Sequence, residues 1–225
     1  MSGKRPEYVI VVPQKALRLA KTRLSSVLSR EAKIELTLLM LRHTLAVCAE
    51  LTDRAGIFLC GPPELEDLAR DYGATLMPGG SKGLRHEVAL AAEDWRIAGR
   101  AAMLVVSSDL PLLTSDDLRG VVQSWRQCAD VVLCPDRRMR GTNVIMVNIP
   151  EAFPFAFGSV VGPGSYEIHL AQAQGTGLRA EVVESEGLSL DIDLPEDLAY
   201  LIHTHPSHPV AEFAKARFHA EFRFE

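Results

Sequence analysis

The sequence of 225 residues has no long apolar run and no excess of positive charge. Nowhere do about 18 apolar residues follow one another, and residues 1–8 lack the apolar centre of a secretion signal. We therefore expect a cytoplasmic protein that does not span a membrane. The net charge of −5 argues against a basic surface for nucleic acid, so an anionic ligand must meet a local group of cations.

Cysteine is scarce, and no pair of cysteines has C-x-x-C spacing. Cys48, Cys60, Cys128 and Cys134 each lie in an apolar segment, which indicates reduced, buried thiols and no disulfide framework. Two glycine-rich nucleotide motifs are also absent, because neither G-x-G-x-x-G nor G-x-x-x-x-G-K-[ST] occurs. A dinucleotide fingerprint and a P-loop are therefore not supported.

The chain is organised around residues 103–113. Residues 103–106 are apolar or β-branched without polar alternation, which predicts a strand buried on both faces. Asp109 follows this strand, and Pro111 cannot continue it because proline has no N–H. Open α/β sheets bind ligands beyond the carboxyl ends of their strands, so Asp109 is a candidate site residue. The alternative is that Asp109 only begins a turn.

Apolar runs alternate with helical patterns along the chain. Strands are predicted at 8–12, 57–60, 74–77, 103–106, 131–134, 144–147 and 180–183. Helices are predicted at 30–48, 64–72, 84–97, 114–127, 165–174 and 195–202, the first capped by Ser29. This order predicts an α/β fold with a mostly parallel sheet covered on both faces, in one domain over residues 1–202. Residues 203–225 form a C-terminal tail of unassigned structure, and a flexible tail is the interpretation favoured for its histidines.

Charged residues form two further candidate clusters. Lys15, Arg18, Lys21 and Arg23 follow the first strand and could neutralise a polyphosphate, although a solvated helix face is the alternative. Asp191 and Asp193 are two apart in an extended segment and can point to one face. With Asp109 they offer hard oxygen ligands of the kind that Mg²⁺ takes. The alternative is that these acids only precede the helix that begins at Pro195. That interpretation suits Glu196 and Asp197 better than Asp191, which lies before the helix.

Two glycine-rich turns, Gly141-Thr142-Asn143 and Gly162-Pro163-Gly164-Ser165, complete the set. A helix that begins after glycines presents free N–H groups to an anion. Taken alone, Ser165 fits a simple helix cap better than an anion site.

Together and in this order, the motifs resemble the 2-phospho-L-lactate guanylyltransferases of coenzyme F(420) biosynthesis. The resemblance spans roughly residues 8–202. Its motifs are Val12-Pro13-Gln14-Lys15, Ala20-Lys21-Thr22-Arg23-Leu24, Gly83-Leu84, Ser108-Asp109-Leu110-Pro111-Leu112-Leu113, Pro135-Asp136-Arg137, Gly141-Thr142-Asn143, Gly162-Pro163-Gly164-Ser165 with His169, and Asp191-Ile192-Asp193-Leu194-Pro195-Glu196-Asp197-Leu198.

The resemblance implies a Rossmann-like nucleotidyltransferase fold of the glycosyltransferase-A type, in three layers. It also implies transfer of GMP from GTP to phospholactate, phosphoenolpyruvate or 3-phosphoglycerate, with release of pyrophosphate and with Mg²⁺ as cofactor. The implied catalytic residues are Asp109, Lys15 and Lys21. Nucleotide contacts fall on Pro13, Lys15, Lys21, Arg23, Gly83, Arg85 and Asp109. Acceptor contacts fall on Thr142, Gly162, Gly164 and Ser165, and metal ligands on Asp109, Asp191 and Asp193.

Three departures from the family pattern affect ligand contacts. Arg85-His86 stands where the family usually has Asn, Arg138 to Arg140 replace small residues, and residues 157–161 lengthen the loop before Gly162. The added arginines predict an acceptor that carries both phosphate and carboxylate, because guanidinium groups match such oxygens. The alternative is that Arg138 and Arg140 point into solvent and only help solubility. The expected partners are GTP and a small phosphorylated carboxylic acid, with neither nucleic acid nor a membrane as a partner, and a homodimer is compatible with this expectation.

Two other functions fit the same elements. One is a glycosyltransferase that uses a nucleotide-sugar, although no clear D-x-D follows the central strand. The other is a catalytically silent nucleotide-binding module, against which the three aspartates argue.

Overall fold

The computed structural model describes residues 7–51, 55–79, 83–94, 102–127, 129–148, 152–157 and 162–218. Within these ranges the chain forms one seven-stranded sheet with helices on both faces. The strands are β1 (Tyr8–Pro13), β2 (Ala55–Gly61), β3 (Thr75–Pro78), β4 (Ala102–Val106), β5 (Val131–Pro135), β6 (Thr142–Val147) and β7 (Ala180–Val182). The α-helices are α1 (Arg30–Ala49), α2 (Glu66–Asp71), α3 (Leu84–Glu93), α4 (Ser115–Gln127), α5 (Ser165–Gly175), α6 (Glu186–Ser189), α7 (Pro195–Thr204) and α8 (Pro209–Arg217).

The sheet has the strand order β3-β2-β1-β4-β6-β5-β7 and is mostly parallel, as predicted. Strands β1 to β4 run in one direction, and β5 pairs in parallel with β7. Strand β6 is antiparallel to both of its neighbours, β4 and β5. The beginning of β6 therefore lies at the same edge of the sheet as the ends of β1, β4 and β5.

Strand β1 shows why the sheet is enclosed. All six of its residues are buried, and alternate side chains enter different halves of the core. Ile10 and Val12 belong to the cluster that includes α1 and α4, whereas Val9 and Val11 belong to the cluster with α3 and α5. Side chains alternate across a strand, so a continuous apolar run fills both faces. The predicted three-layer arrangement is confirmed.

The segment after residue 202 contains a helix that packs on the domain. Val210, Ala211 and Ala214 of α8 are buried in a third apolar cluster with residues of α1 and α7. The Nδ1 atom of His208 accepts a hydrogen bond from the backbone N–H of Val210. The interpretation of a flexible tail is therefore wrong for residues 205–217. The physical reason is that small apolar residues at helical spacing bury this segment, although polar histidines lie beside them.

Other expectations hold, or fall outside the described residues. The Ser29 hydroxyl accepts from the N–H of Ala32 at 3.1 Å and caps α1 as predicted. Cys48, Cys60 and Cys134 are buried thiols outside any disulfide, as predicted. The described residues do not include Cys128, residues 95–97 of the predicted third helix, residues 158–161 or residues 219–225. Within the described ranges, every helix is too short or too polar to cross a membrane.

We predict that shortening one buried leucine in the third cluster destabilises the protein. Leu201 of α7 is fully buried in the cluster that α7 forms with α1 and α8. Leu201→Ala should therefore lower the free energy of unfolding by about 2–5 kcal/mol. Leu90 on α3 is 43% exposed, so Leu90→Ala, the matched control, should change it by less than about 1 kcal/mol. Urea denaturation measures both values, and equal losses would contradict the packing of α8 as described.

Candidate active site

A cavity of about 800 Å³ opens at the edge of the sheet where β1, β4 and β5 end and β6 begins. Of the residues singled out in the sequence, almost all line this cavity. They are Pro13, Lys15, Lys21, Arg23, Gly83, Arg85, Asp109, Thr142, Gly164, Ser165, Asp191 and Asp193. Gly162 is outside this set, and its carbonyl oxygen accepts a hydrogen bond from Nη2 of Arg140 at 2.9 Å.

Three carboxylates converge at one end of the cavity. Asp109, Asp191 and Asp193 each place a carboxylate oxygen within 4.8 Å of the others. The backbone N–H of Ile192 donates to the carbonyl of Asp109, which ties the two segments together. Ile192 itself is fully buried, and its two aspartate neighbours project to the opposite side. The predicted convergence of the three aspartates is confirmed.

Lys21 joins two of these carboxylates. Its Nζ atom lies 2.6 Å from Oδ2 of Asp109 and 2.9 Å from Oδ1 of Asp193. The lysine side chain is only 7% exposed. Burial opposes its charge, but the attraction of Asp109 and Asp193 outweighs burial and holds the lysine pKa above its usual value. Lys21 is therefore a buried cation that partly neutralises the acidic cluster.

The backbone at Lys21 is itself unusual. Its φ of 51° and ψ of 39° lie in the left-handed region, which costs an L-residue about 1 kcal/mol. Lys21 lies between two short 3-10 helices, Leu17–Leu19 and Thr22–Leu24, and Leu24 anchors the second of them in the core. The basic segment is thus a pair of tight turns. Such strain is found where a side chain must be held in a particular place.

The third carboxylate, Asp191, has a perturbed pKa. Burial, followed by repulsion from Asp109 and Asp193, raises the pKa of Asp191 to about 7. Lys21 lowers the pKa of Asp193, since its ammonium lies against that carboxylate. A divalent cation with a preference for oxygen ligands would relieve this repulsion. The residues present therefore fit a divalent metal, with Asp109, Asp191 and Asp193 as its protein ligands.

A fourth aspartate holds the acidic segment in position. Asp197 is buried, and its Oδ2 atom accepts from the N–H groups of Asp193 and Leu194 at 3.0 and 2.7 Å. Its other oxygen accepts from Nη2 of Arg138 at 2.7 Å. Asp197 therefore caps α7 and fixes the backbone of a proposed metal ligand, in agreement with its interpretation as a helix-start acid.

The remaining cations of the basic segment divide into two groups. Lys15 is exposed and lines the cavity, and Arg23 lines it with its Nη1 atom 3.8 Å from Oδ2 of Asp193. Arg18 is exposed and is not part of the cavity wall. The alternative of a solvated surface thus applies to Arg18, while the other three cations face the site.

A second wall of the cavity is formed by the hairpin at residues 136–141, between β5 and β6, together with the start of α5. Thr142 donates its backbone N–H to Oγ of Ser165 at 2.8 Å, and Tyr166 donates its N–H to the carbonyl of Arg140 at 2.9 Å. A side chain at Gly164 would collide with that carbonyl, so the close approach requires glycine. The cap of α5 is Gly164 and not Ser165, whose hydroxyl instead accepts from Thr142.

The two arginines predicted to select the acceptor have partners inside the protein. Arg138 pairs with Asp197, and Arg140 donates to the carbonyl of Gly162. Both residues line the cavity, so they are not simply solvated. Their effect on acceptor choice stays a prediction.

Several residues of the site carry a role that sequence reasoning did not assign. Gln14 accepts a hydrogen bond from the Ser108 hydroxyl at 2.7 Å and so links the ends of β1 and β4. Asn143 donates to the carbonyls of Leu188 and Ser189. The motifs of the sequence include His169 but give it no role. What the sequence does show is that Gln14, Asn143 and His169 are polar residues in or next to apolar segments, where an unpaired polar group would be costly.

Comparison with known proteins gives a consistent result. A family model described as "Guanylyl transferase CofC like" matches residues 8–223. Phosphoenolpyruvate guanylyltransferases of Chloroflexus aggregans and Rubrobacter xylanophilus are 32% and 35% identical, over 84% and 85% of this chain and 94% and 91% of their own. A 3-phospho-D-glycerate guanylyltransferase of Colwellia psychrerythraea is 30% identical over 85% of this chain and 90% of its own.

Solved structures agree on the architecture. A Desulfovibrio desulfuricans G20 protein described as a nucleotide-diphospho-sugar transferase superposes with a TM-score of 0.71 over 94% of this chain and 95% of its own, at 15% identity. A nucleotidyl transferase of Methanothermobacter has a TM-score of 0.60 over 93% of this chain and 99% of its own, at 14% identity. At such low identity the likeness shows the fold alone.

We predict that Asp191→Asn stabilises the metal-free protein and removes its response to metal. Asp191 has two carboxylate neighbours, and the neutral amide should raise the Tm in EDTA at pH 8 by about 2–4 °C, the shift for roughly 1 kcal/mol in a chain of this size. Added Mg²⁺ should raise the Tm of the wild type more than that of the variant.

The matched control for this measurement is Asp116→Asn, which changes an exposed aspartate of α4 paired with Arg119. It should leave the response to Mg²⁺ unchanged. A destabilised Asp191→Asn protein with a normal metal response would contradict the assignment of Asp191 to the metal.

Proposed function

Because the chain belongs to the family of CofC-like guanylyl transferases, we propose that it transfers GMP from GTP to a phosphorylated three-carbon acid and releases pyrophosphate. The acceptor is phosphoenolpyruvate, 3-phosphoglycerate or 2-phospho-L-lactate, and the reaction belongs to coenzyme F(420) biosynthesis. The observation that supports this most is the cavity itself. It brings the carboxylates of Asp109, Asp191 and Asp193 together with the cations Lys15, Lys21 and Arg23 and the hydroxyl groups of Thr142 and Ser165.

The basic segment after β1 would hold the triphosphate. Lys15 and Arg23 line the cavity with exposed side chains, and their charges match the β- and γ-phosphates. Lys21 stands deeper, against Asp109 and Asp193, where it would stabilise negative charge that develops near the α-phosphorus. Gly83 and Arg85 line the same cavity and would contact the nucleoside.

The acidic cluster would hold Mg²⁺ through Asp109, Asp191 and Asp193. When bound, the metal would neutralise charge on the α-phosphate and on the leaving pyrophosphate. Lys21 keeps two of the ligand carboxylates together, and Asp197 holds the backbone between them and α7. The ligands are thus positioned by the protein before substrate arrives.

The hydroxyl groups of Thr142 and Ser165, with the N-terminal end of α5 at Gly164, would receive the acceptor. Its phosphate oxygen attacks the α-phosphorus of GTP, the new P–O bond forms, and the bond to pyrophosphate breaks. The attacking phosphate is already ionised at neutral pH, so no general base is required. Catalysis then depends on positioning and charge neutralisation.

We predict that Asp109→Asn abolishes most of the activity. The change removes one metal-binding charge and one partner of Lys21, and it should lower kcat/KM by at least ~10²-fold. The assay follows pyrophosphate release from GTP with each of the three acids and detects the guanylylated acid by mass spectrometry. Asp116→Asn, an exposed aspartate away from the cavity, is the matched control and should keep wild-type rates.

Two results would contradict the proposed function. One is pyrophosphate release that is independent of every acceptor acid. The other is a sugar transferred from a nucleotide-sugar with no guanylyl transfer, which would favour the glycosyltransferase alternative.

We further predict that Lys15→Ala weakens binding of GTP more than binding of GMP. The lost charge would face phosphates that GMP lacks, and GTP affinity should fall about tenfold. Arg18→Ala removes a cation of the same segment that does not line the cavity, and it serves as the control. Isothermal calorimetry measures the affinities of the wild type and of both variants for GTP and for GMP, and equal losses for the two nucleotides in Lys15→Ala would place Lys15 away from the outer phosphates.

A further inference from the structure

His169 of α5 is a fully buried histidine next to the proposed acceptor site. Its ring is surrounded by Phe153, Phe155 and Phe157, with ring centroids 5.7, 6.4 and 5.0 Å away. Its Nδ1 atom lies 3.0 Å from Oγ1 of Thr142, and its Nε2 atom lies 2.8 Å from the backbone N of Ala156. Both ring nitrogens therefore have a defined partner.

These partners determine which nitrogen carries the proton. The backbone N–H of Ala156 can only donate, so Nε2 of His169 must accept. The proton of the neutral ring is then on Nδ1, which donates to the Thr142 hydroxyl oxygen. Burial lowers the pKa of His169 to about 4, so the ring is neutral at physiological pH and this tautomer persists.

Two hydrogen bonds of Thr142 lie in the cavity wall next to the histidine, and they use different groups of this residue. Thr142 accepts from His169 through its side chain and donates its backbone N–H to Oγ of Ser165. Each of the two hydroxyl oxygens thus accepts one bond from the protein interior. Neither hydroxyl proton has an acceptor among the residues that the structure describes, and both residues line the cavity. Each proton is left to be donated into the cavity.

We propose that His169 is a positioning residue for the substrate acid: by donating to Oγ1 of Thr142, it orients the Thr142 hydroxyl as a donor toward the phosphate and carboxylate oxygens of the acid, beside the hydroxyl of Ser165. The proposal rests on the proposed function. An anionic substrate needs hydrogen-bond donors. Because the Thr142 oxygen already accepts a hydrogen bond from His169 in the protein interior, its own proton is available to a substrate in the cavity. His169 touches no substrate itself, and its effect passes through Thr142.

The matched variants are His169→Asn and His169→Leu, whose side chains are similar in size. The amide nitrogen of asparagine can take the place of Nδ1 and donate to Thr142, whereas leucine cannot. Both variants remove the acceptor for Ala156, so the comparison isolates the bond to Thr142. A third variant, Thr142→Val, removes the hydroxyl and keeps the shape of the side chain.

The measurement is steady-state turnover of the full chain with GTP, Mg²⁺ and each of the three acids. We expect His169→Leu to raise the KM for the acid about tenfold, the range for a hydrogen bond to a charged group, with the KM for GTP unchanged. His169→Asn should restore the acid KM to within about threefold of the wild type. In the Thr142→Val background, His169→Leu should add no further change, because the group through which it acts is absent.

Two outcomes would overturn the proposal. In one, His169→Leu and His169→Asn raise the acid KM equally; in the other, the histidine change adds its full effect on top of Thr142→Val. Either result would reduce His169 to a support for the aromatic segment at 153–157. If His169→Leu does not fold, the comparison of His169→Asn with Thr142→Val decides, since only the latter should raise the acid KM strongly.

A failure of the proposed function is distinguishable from a failure of this inference. If no acid supports guanylyl transfer in the wild type, calorimetric binding of phosphoenolpyruvate and 3-phosphoglycerate to the wild type and variants still tests His169. Loss of binding in His169→Leu with recovery in His169→Asn supports the inference. Equal binding in all proteins, or no binding to the wild type, overturns it.

Discussion

The ammonium of Lys21, held between the carboxylates of Asp109 and Asp193, is the interaction on which the rest of the site depends. These residues come from segments 88 and 172 positions apart in the chain, so the bond joins the ends of separate elements. Burial alone would favour the uncharged amine, and only two close carboxylates keep the charge in place. Removing Lys21 would leave Asp109 and Asp193 without their buried counter-charge at the edge of the sheet. The two carboxylates and the cation therefore stabilise one another.

The sequence contained enough to predict the sheet and the carboxylates, because these follow from local patterns. A short continuous apolar run such as β4 is typical of a strand covered on both faces, and Asp109 comes three residues after its end. Asp191 and Asp193 flank Ile192, so their common direction follows from the alternation of side chains. The ion pair of Lys21 could not be predicted in the same way, since its left-handed backbone and its partners depend on tertiary contacts. The packing of α8 was missed for a similar reason: small residues such as Ala211 and Ala214 carry a weak signal until α1 and α7 are beside them.

The two halves of the cavity are built from different interactions. On one side, charges dominate, with Asp197 and Arg138 as a second ion pair behind the acidic segment. On the other side, next to the charged residues Asp136, Arg138 and Arg140 of the hairpin, Thr142, Ser165 and His169 are linked by hydrogen bonds in an aromatic setting. Salt screens exposed charges but has little effect on buried neutral hydrogen bonds. Ionic strength should therefore act mainly on the charged groups that meet the substrates and little on the hydrogen bonds around His169.

The reversed direction of β6 has a consequence for how this fold can acquire new substrates. A parallel strand in that place would need a long crossover before it, whereas β5 and β6 are joined by the short hairpin at residues 136–141. That hairpin forms one wall of the cavity. No helix lies between β5 and β6, so the pairing of these two strands does not depend on how a connecting helix packs. The hairpin can therefore vary in length and charge without a change of strand order, within the limits set by the Arg138–Asp197 ion pair and by the contact of Tyr166 with the Arg140 carbonyl. The fold thus combines a carboxylate edge built from other elements with a cavity wall that is open to change at its remaining positions.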